Sequence, residues 1–215
     1  MSRAGTAAPA PGTVVFDLGG VLIDWDPRHL YRRLLPHDEV DDFLREIGFT
    51  EWNEAQDAGA PWAEAVESLA ARHPHRRELI AAYPQRYPET LAGAISGTVD
   101  ILTELHRRGT RLLALTNWSA ETFHHAREMF YFLEMFEGIV VSGEERIAKP
   151  DARLFAILVE RFALVPTETV FIDDSPANVE GAAEQGFVAL RFRDAGTLRA
   201  DLRRLGLLPV DGGSG

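Results

Sequence analysis

The stretch Val14–Asp26, VVFDLGGVLIDWD, decides how the rest of the chain is read. Val14, Val15 and Phe16 make a short β-branched and aromatic run, the kind buried on both faces of a parallel sheet, and the run ends on a lone carboxylate, Asp17. In an open parallel sheet the carboxyl ends of the strands border the crevice where ligands bind, so Asp17 stands at a functional position. Gly19 and Gly20 let the backbone turn close to whatever Asp17 holds. By itself an Asp-x-Gly-Gly also fits a simple turn, so the decision falls to other parts of the chain.

Downstream of Gly97, helical and strand patterns alternate. TVDILTELHRRG reads as a helix ended by Gly109, RLLALTN as a strand, SAETFHHAREMF as a helix and GIVVS as a strand. DARLFAILVERF follows as a helix capped by Asp151, then TVFIDD, NVEGAAEQG and FVALRF as strand, helix and strand. Alternation of this kind predicts an α/β fold with a doubly wound, parallel, Rossmann-like sheet. Between Pro27 and about Thr98 the segments PRHLYRRLL, DEVDDFLREIG and PWAEAVESLAARH have helical spacing, and no convincing strand intervenes. Several helices are too many for one crossover, so the expected organisation is a core of residues 13–26 and 97–208 with an inserted helical cap at 27–96. Residues 1–12 and 209–215 read as flexible ends, the first without the apolar region of a signal peptide.

Of 215 residues, 46% are hydrophobic and 26% charged, a globular composition with no apolar run near the roughly 20 residues that span a bilayer. The net charge of -11 opposes a nucleic-acid backbone, so a small ligand is expected rather than nucleic acid or membrane. The absence of cysteine excludes disulfides and thiolate chemistry and fits a cytoplasmic setting. Nothing in the pattern sets an oligomeric state.

Asp17 ends the first core strand, Thr116 and Asn117 the second, Lys149 follows the third, and Asp173 and Asp174 end the fourth. All belong on one rim of the sheet. These segments, FDLGGVL, LTN, KPD and FIDDSPANVEGA, resemble the four motifs of the haloacid dehalogenase superfamily, from Val14 to about Phe192, and the helical insertion resembles that family's cap. FDLGGVLIDW together with DDSPAN is similar to the capped phosphatase branch that includes sugar-phosphate phosphatases and the N-terminal domain of soluble epoxide hydrolases.

The resemblance implies a Mg²⁺-dependent phosphatase acting on a small-molecule phosphate monoester. Asp17 would attack phosphorus and form an aspartyl-phosphate, splitting one hard hydrolysis into two easier steps. Asp17, the Gly19 carbonyl and Asp174 would ligate Mg²⁺, with Asp173 and Asn178 orienting that shell. Thr116 and Asn117 would donate to phosphoryl oxygens, and Lys149 would offset charge on nucleophile and phosphate. Trp25 and Trp118 lie beside motifs and fit an aromatic wall over the site or core packing. In the insertion, TEWNEAQDAG offers Trp52, Asn53, Gln56 and Asp57 as substrate contacts. His73, His75, His124 and His125 read as surface residues.

One departure matters. Many phosphatases of the family carry at Gly19 an aspartate that protonates the leaving oxygen, so acid-base work here falls to water, to a cap residue such as Asp57, or to an easier leaving group. Two other readings remain open on the motifs: a 2-haloacid dehalogenase, which the adjacent Asp173 and Asp174 and a Phe155 in place of that branch's tyrosine disfavour, and a non-catalytic ligand-binding protein on the same fold.

Overall fold

A computed structural model describes residues 12–210. The expectation of loose ends therefore falls mostly on residues outside the described ones. In chain order the elements are β1 (Thr13–Phe16), β2 (Ile23–Trp25), α1 (Pro27–Tyr31), α2 (Val40–Glu46), α3 (Phe49–Asp57), α4 (Trp62–Arg72), α5 (Arg77–Gln85), β3 (Leu91–Ala94) and α6 (Ser96–Arg107). There follow β4 (Arg111–Thr116), α7 (Phe123–Met129), β5 (Gly138–Val141), α8 (Ser142–Glu145), α9 (Ala152–Phe162), β6 (Thr169–Asp173), α10 (Pro176–Glu184), β7 (Val188–Arg191) and α11 (Ala195–Arg204).

Five strands form one parallel sheet in the order β5-β4-β1-β6-β7. β1 is central, and because alternate side chains of a strand face opposite ways, it feeds two cores. Val14 and Phe16 join Ile101, Leu105, Leu198 and Leu202 of α6 and α11 on one face. Val15 joins Leu154, Phe155 and Leu158 of α9 and Ala182 of α10 on the other. Asp151 caps α9 as expected, accepting from the Arg153 N–H at 2.9 Å.

The insertion is not wholly helical. β3 pairs antiparallel with β2, so a two-stranded ribbon carries the chain into and out of the helices. Its sequence, LAGA, lacks β-branched residues, and its partner lies far away in sequence, so no local pattern announces it. Helices α1 to α5 pack around an aromatic cluster in which Tyr83 meets Phe49, Trp62 and Trp52 at ring centroid separations of 4.9, 5.3 and 5.7 Å. This cluster is continuous with the α6 and α11 side of the sheet. Polar ties add to it: Ser142 Oγ donates to the Asp57 carbonyl at 2.6 Å, and Trp62 Nε1 donates to Ser119 Oγ at 3.0 Å.

Candidate active site

Parallel register brings the strand ends together. Thr13 to Phe16 align with Arg111 to Ala114 on one side and with Thr169 to Ile172 on the other, so Asp17, Thr116 and Asp173 leave the sheet on the same rim. There Asp17, Asp173 and Asp174 each offer an oxygen within 4.8 Å of the others, the one group of this kind among the described residues.

A single buried cation separates these charges. Lys149 Nζ donates to Asp173 Oδ2 at 2.7 Å and the Leu115 carbonyl at 2.8 Å, and lies 3.0 Å from Asp17 Oδ1. An ammonium has three protons, so these partners saturate it. Here Lys149 has no spare donor, so its charge reaches the cavity beside that of Asp17. Burial pulls the Lys149 ammonium down, but Asp17 and Asp173 more than offset this and hold it above its ordinary value. Burial pushes the Asp17 carboxyl up, against Lys149 and together with Asp173 and Asp174. Asp174 is raised as well, by desolvation and by Asp173.

Asp173 is fully buried and sits behind the exposed Asp174. Besides Lys149 it accepts from the Ser175 N–H and from Asn178 Nδ2 at 2.9 and 3.1 Å, so its oxygens are already engaged. That arrangement suits orientation of the site more than direct ligation. The Asn117 amide brackets the Lys149 backbone, donating to its carbonyl at 3.0 Å and accepting from its N–H at 2.8 Å. One Nδ2 proton of Asn117 remains for a ligand. The Thr116 hydroxyl is buried without any hydrogen-bond partner, an orphan that a phosphoryl oxygen would satisfy.

Above the carboxylates lies a cavity of about 800 Å³ between sheet and insertion. Asp17, Gly19, Gly20, Asn117 and Asp174 form its floor; Trp25, Tyr87 and Trp118 form an aromatic side. The Trp25 and Trp118 indoles flank the Tyr87 hydroxyl, yet neither N–H reaches hydrogen-bond geometry with a partner. The insertion adds Phe49, Thr50, Asn53, Glu54 and Asp57 of α3, together with Arg28, Asp41 and Arg45.

Helical geometry divides the polar patch on α3. Asn53 and Asp57 are one turn apart and share the cavity face, whereas Trp52 lies about 140° round from Asp57. Trp52 is buried against Trp62 at 5.0 Å, and its Nε1 donates to the Ala65 carbonyl. Gln56 is buried beside it and donates to the Trp52 carbonyl. Of the four residues expected as substrate contacts, Trp52 and Gln56 pack inside the insertion, while Asn53 and Asp57 face the cavity. His75 pairs with Glu46 at the surface at 2.8 Å, and His125 stacks on Tyr87. Ser119, Ser142 and Tyr87 carried no signal in the sequence, since isolated serines and a tyrosine at a helix end follow no period.

The family model of haloacid dehalogenase-like hydrolases matches residues 11–186. The chain belongs to that family. Among curated relatives it is 28% identical to the sesquiterpene phosphatase astK of Aspergillus oryzae over 191 residues, covering 89% of this chain and 94% of that one. It is 27% identical to the phosphorylated carbohydrates phosphatase of Thermotoga maritima, covering 80% and 81%. A solved family enzyme from Bacteroides thetaiotaomicron in a magnesium complex shares the fold, with a TM-score of 0.67 at 22% identity over 91% of this chain and 99% of that one. This member is a hydrolase with phosphatase relatives.

Proposed function

We propose that the chain is a Mg²⁺-dependent phosphatase that hydrolyses a small organic phosphate monoester through an aspartyl-phosphate on Asp17. The observation that carries this reading is the three-carboxylate group with one buried lysine. Two acids would repel an anionic ligand unless a cation lies between, and Lys149 is already committed to Asp17 and Asp173. The donor set is all hard oxygen, which fits Mg²⁺, and Gly20 leaves the loop room to approach Asp174: a Cβ there would lie 2.7 Å from Asp174 Oδ2. Asp17, Asp174 and the Gly19 carbonyl would hold the ion, which when bound neutralises carboxylate and phosphoryl charge. Asp17 would attack phosphorus, while Thr116 and Asn117 hold phosphoryl oxygens and Lys149 steadies the nucleophile.

The aromatic side of the cavity supports an ester whose organic part is apolar or ring-shaped over one carrying several charges. Relatives that bear phosphatase names, among them one for sesquiterpenes, one for carbohydrates and one for phosphoserine, agree with the reaction while differing in that organic part. The dehalogenase alternative finds less support. Phe155 is buried and packs on Phe171 at 5.5 Å, away from the cavity, and Asp173 and Asp174 need a cation that such chemistry does not use.

A panel of phosphate monoesters and 2-haloacids, assayed with Mg²⁺ and with EDTA, tests the proposal. Phosphate release that needs Mg²⁺ is the expected result. Halide release, or undiminished hydrolysis in EDTA, would overturn it.

A further inference from the structure

We propose that Asp57, delivered by the insertion, is the general acid and base that Gly19 cannot be; this rests on the phosphatase reading above. Asp57 and Asp17 line the same cavity. A Cβ on Gly19 would meet nothing within 4 Å, so no other core side chain fills the place an acid would take there.

The Asp57 carboxyl is held by the insertion and its backbone is tied to the core. Asn53 Nδ2 donates to Asp57 Oδ2 at 2.9 Å, and Asn53 is itself oriented by the Tyr83 hydroxyl, which donates to Asn53 Oδ1 at 3.0 Å. From the core, the Ser119 backbone N–H faces the carboxyl, two residues beyond the cavity-lining Asn117. Ser142 Oγ accepts from the Trp118 N–H and donates to the Asp57 carbonyl, which ties the end of α3 to the loop after β4. An acid so held is placed by the core as well as by the insertion. Burial pushes Asp57 up to about 7, with Glu54 adding to the shift and Ser119 and Lys149 opposing it, so acid and base forms coexist near neutral pH. Tyr83 and Tyr87, the other titratable neighbours, are held well above their ordinary values by burial and stay neutral.

The chemistry then balances. An Asp17 oxygen bonds to phosphorus, the ester P–O bond breaks with its electron pair on the leaving oxygen, and Asp57 gives that oxygen its proton to form the alcohol. In the second step the Asp57 carboxylate takes a proton from water as the water oxygen bonds to phosphorus, and the bond to Asp17 breaks to restore its carboxylate.

Asp57→Asn separates this role from packing. For propyl phosphate, an alkyl ester, kcat/KM should fall about 10²–10⁴-fold, while for p-nitrophenyl phosphate, whose leaving group needs no proton, it should change little. Because the second step loses its base, the variant should release a burst of p-nitrophenolate equal to the enzyme present and then turn over slowly. Adding Gly19→Asp to the variant should restore propyl phosphate hydrolysis by supplying a carboxyl from the core without rebuilding the Asp57 contacts. Equal losses on both esters without a burst, or no loss on either, would overturn the assignment. Wild-type protein that hydrolyses neither ester with Mg²⁺ would instead overturn the phosphatase reading beneath it.

Discussion

Gly20 stands so close to Asp174 that a Cβ on it would lie 2.7 Å from the Asp174 carboxylate, and its φ of 72° is one that L side chains rarely adopt. Gly20→Ala should therefore shift Asp174 and weaken Mg²⁺ binding, read by titration calorimetry, with phosphatase activity falling in parallel. Gly19→Ala, which meets nothing within 4 Å, should bind Mg²⁺ as the wild type does. Equal affinity in both variants would remove Asp174 from the metal site.

Lys149 is the counter-charge for two buried carboxylates at 2.7 and 3.0 Å. Lys149→Met leaves Asp17 and Asp173 facing each other unpaired, and loss of one partner of a buried ion pair costs about 3–5 kcal/mol. The variant should unfold at lower denaturant concentration and lose activity, with Mg²⁺ recovering part of the stability because it supplies a second cation. Unchanged denaturation would contradict the pairing.

Asp57 predicts a pH dependence of stability. Its folded pKa, about 7, lies above the ordinary 3.8, so between these values the folded state holds a proton that the unfolded state has lost. The stability it contributes is full below about 3.8 and is lost as pH rises through 7, with a slope of up to about 1.4 kcal/mol per pH unit. Asn53, Glu54, the Ser119 N–H, Lys149, Tyr83 and Tyr87 surround it, and the tyrosines stay neutral across this range. The wild type's thermal stability relative to Asp57→Asn should therefore decline from pH 5 to about 7 and level off above. A difference independent of pH would show that Asp57 folds at its ordinary pKa.

Trp25 and Trp52 should respond differently to truncation. Trp25→Ala removes part of the cavity side and should raise KM for bulky esters more than for small ones, alongside a loss of stability from its packing on the core. Trp52→Ala opens a hole among Trp62, Phe49 and Tyr83 and should cost about 3–5 kcal/mol of stability while leaving the order of substrate preference intact. A reordered preference in Trp52→Ala would return that residue to the site.

Much of this was legible in the chain itself. Asp17, Thr116 and Asp173 share a rim because they lie at the carboxyl ends of neighbouring parallel strands, which strand patterning placed, whereas Lys149, in the loop between α8 and α9, was picked out by its motif. The β2–β3 ribbon escaped because LAGA pairs with a distant segment and carries no strand propensity of its own. The face of α3 was available from helical spacing, which separates Asn53 and Asp57 from Trp52 and Gln56, but an aromatic beside polar residues reads as a binding patch until tertiary packing claims it. Ser142, which ties Asp57 to the core, gave no signal because one serine after a strand looks like any turn.

Transfer of the phosphoryl group to Asp17 would leave a covalent trace. Wild-type protein mixed with p-nitrophenyl phosphate and Mg²⁺, quenched in acid within the first turnover and digested, reports this directly by mass spectrometry. A phosphate-sized mass increase is expected on the peptide that contains Asp17, lost in Asp17→Asn along with activity. Steady hydrolysis with that peptide unmodified at every quench time, or wild-type rates in Asp17→Asn, would contradict it.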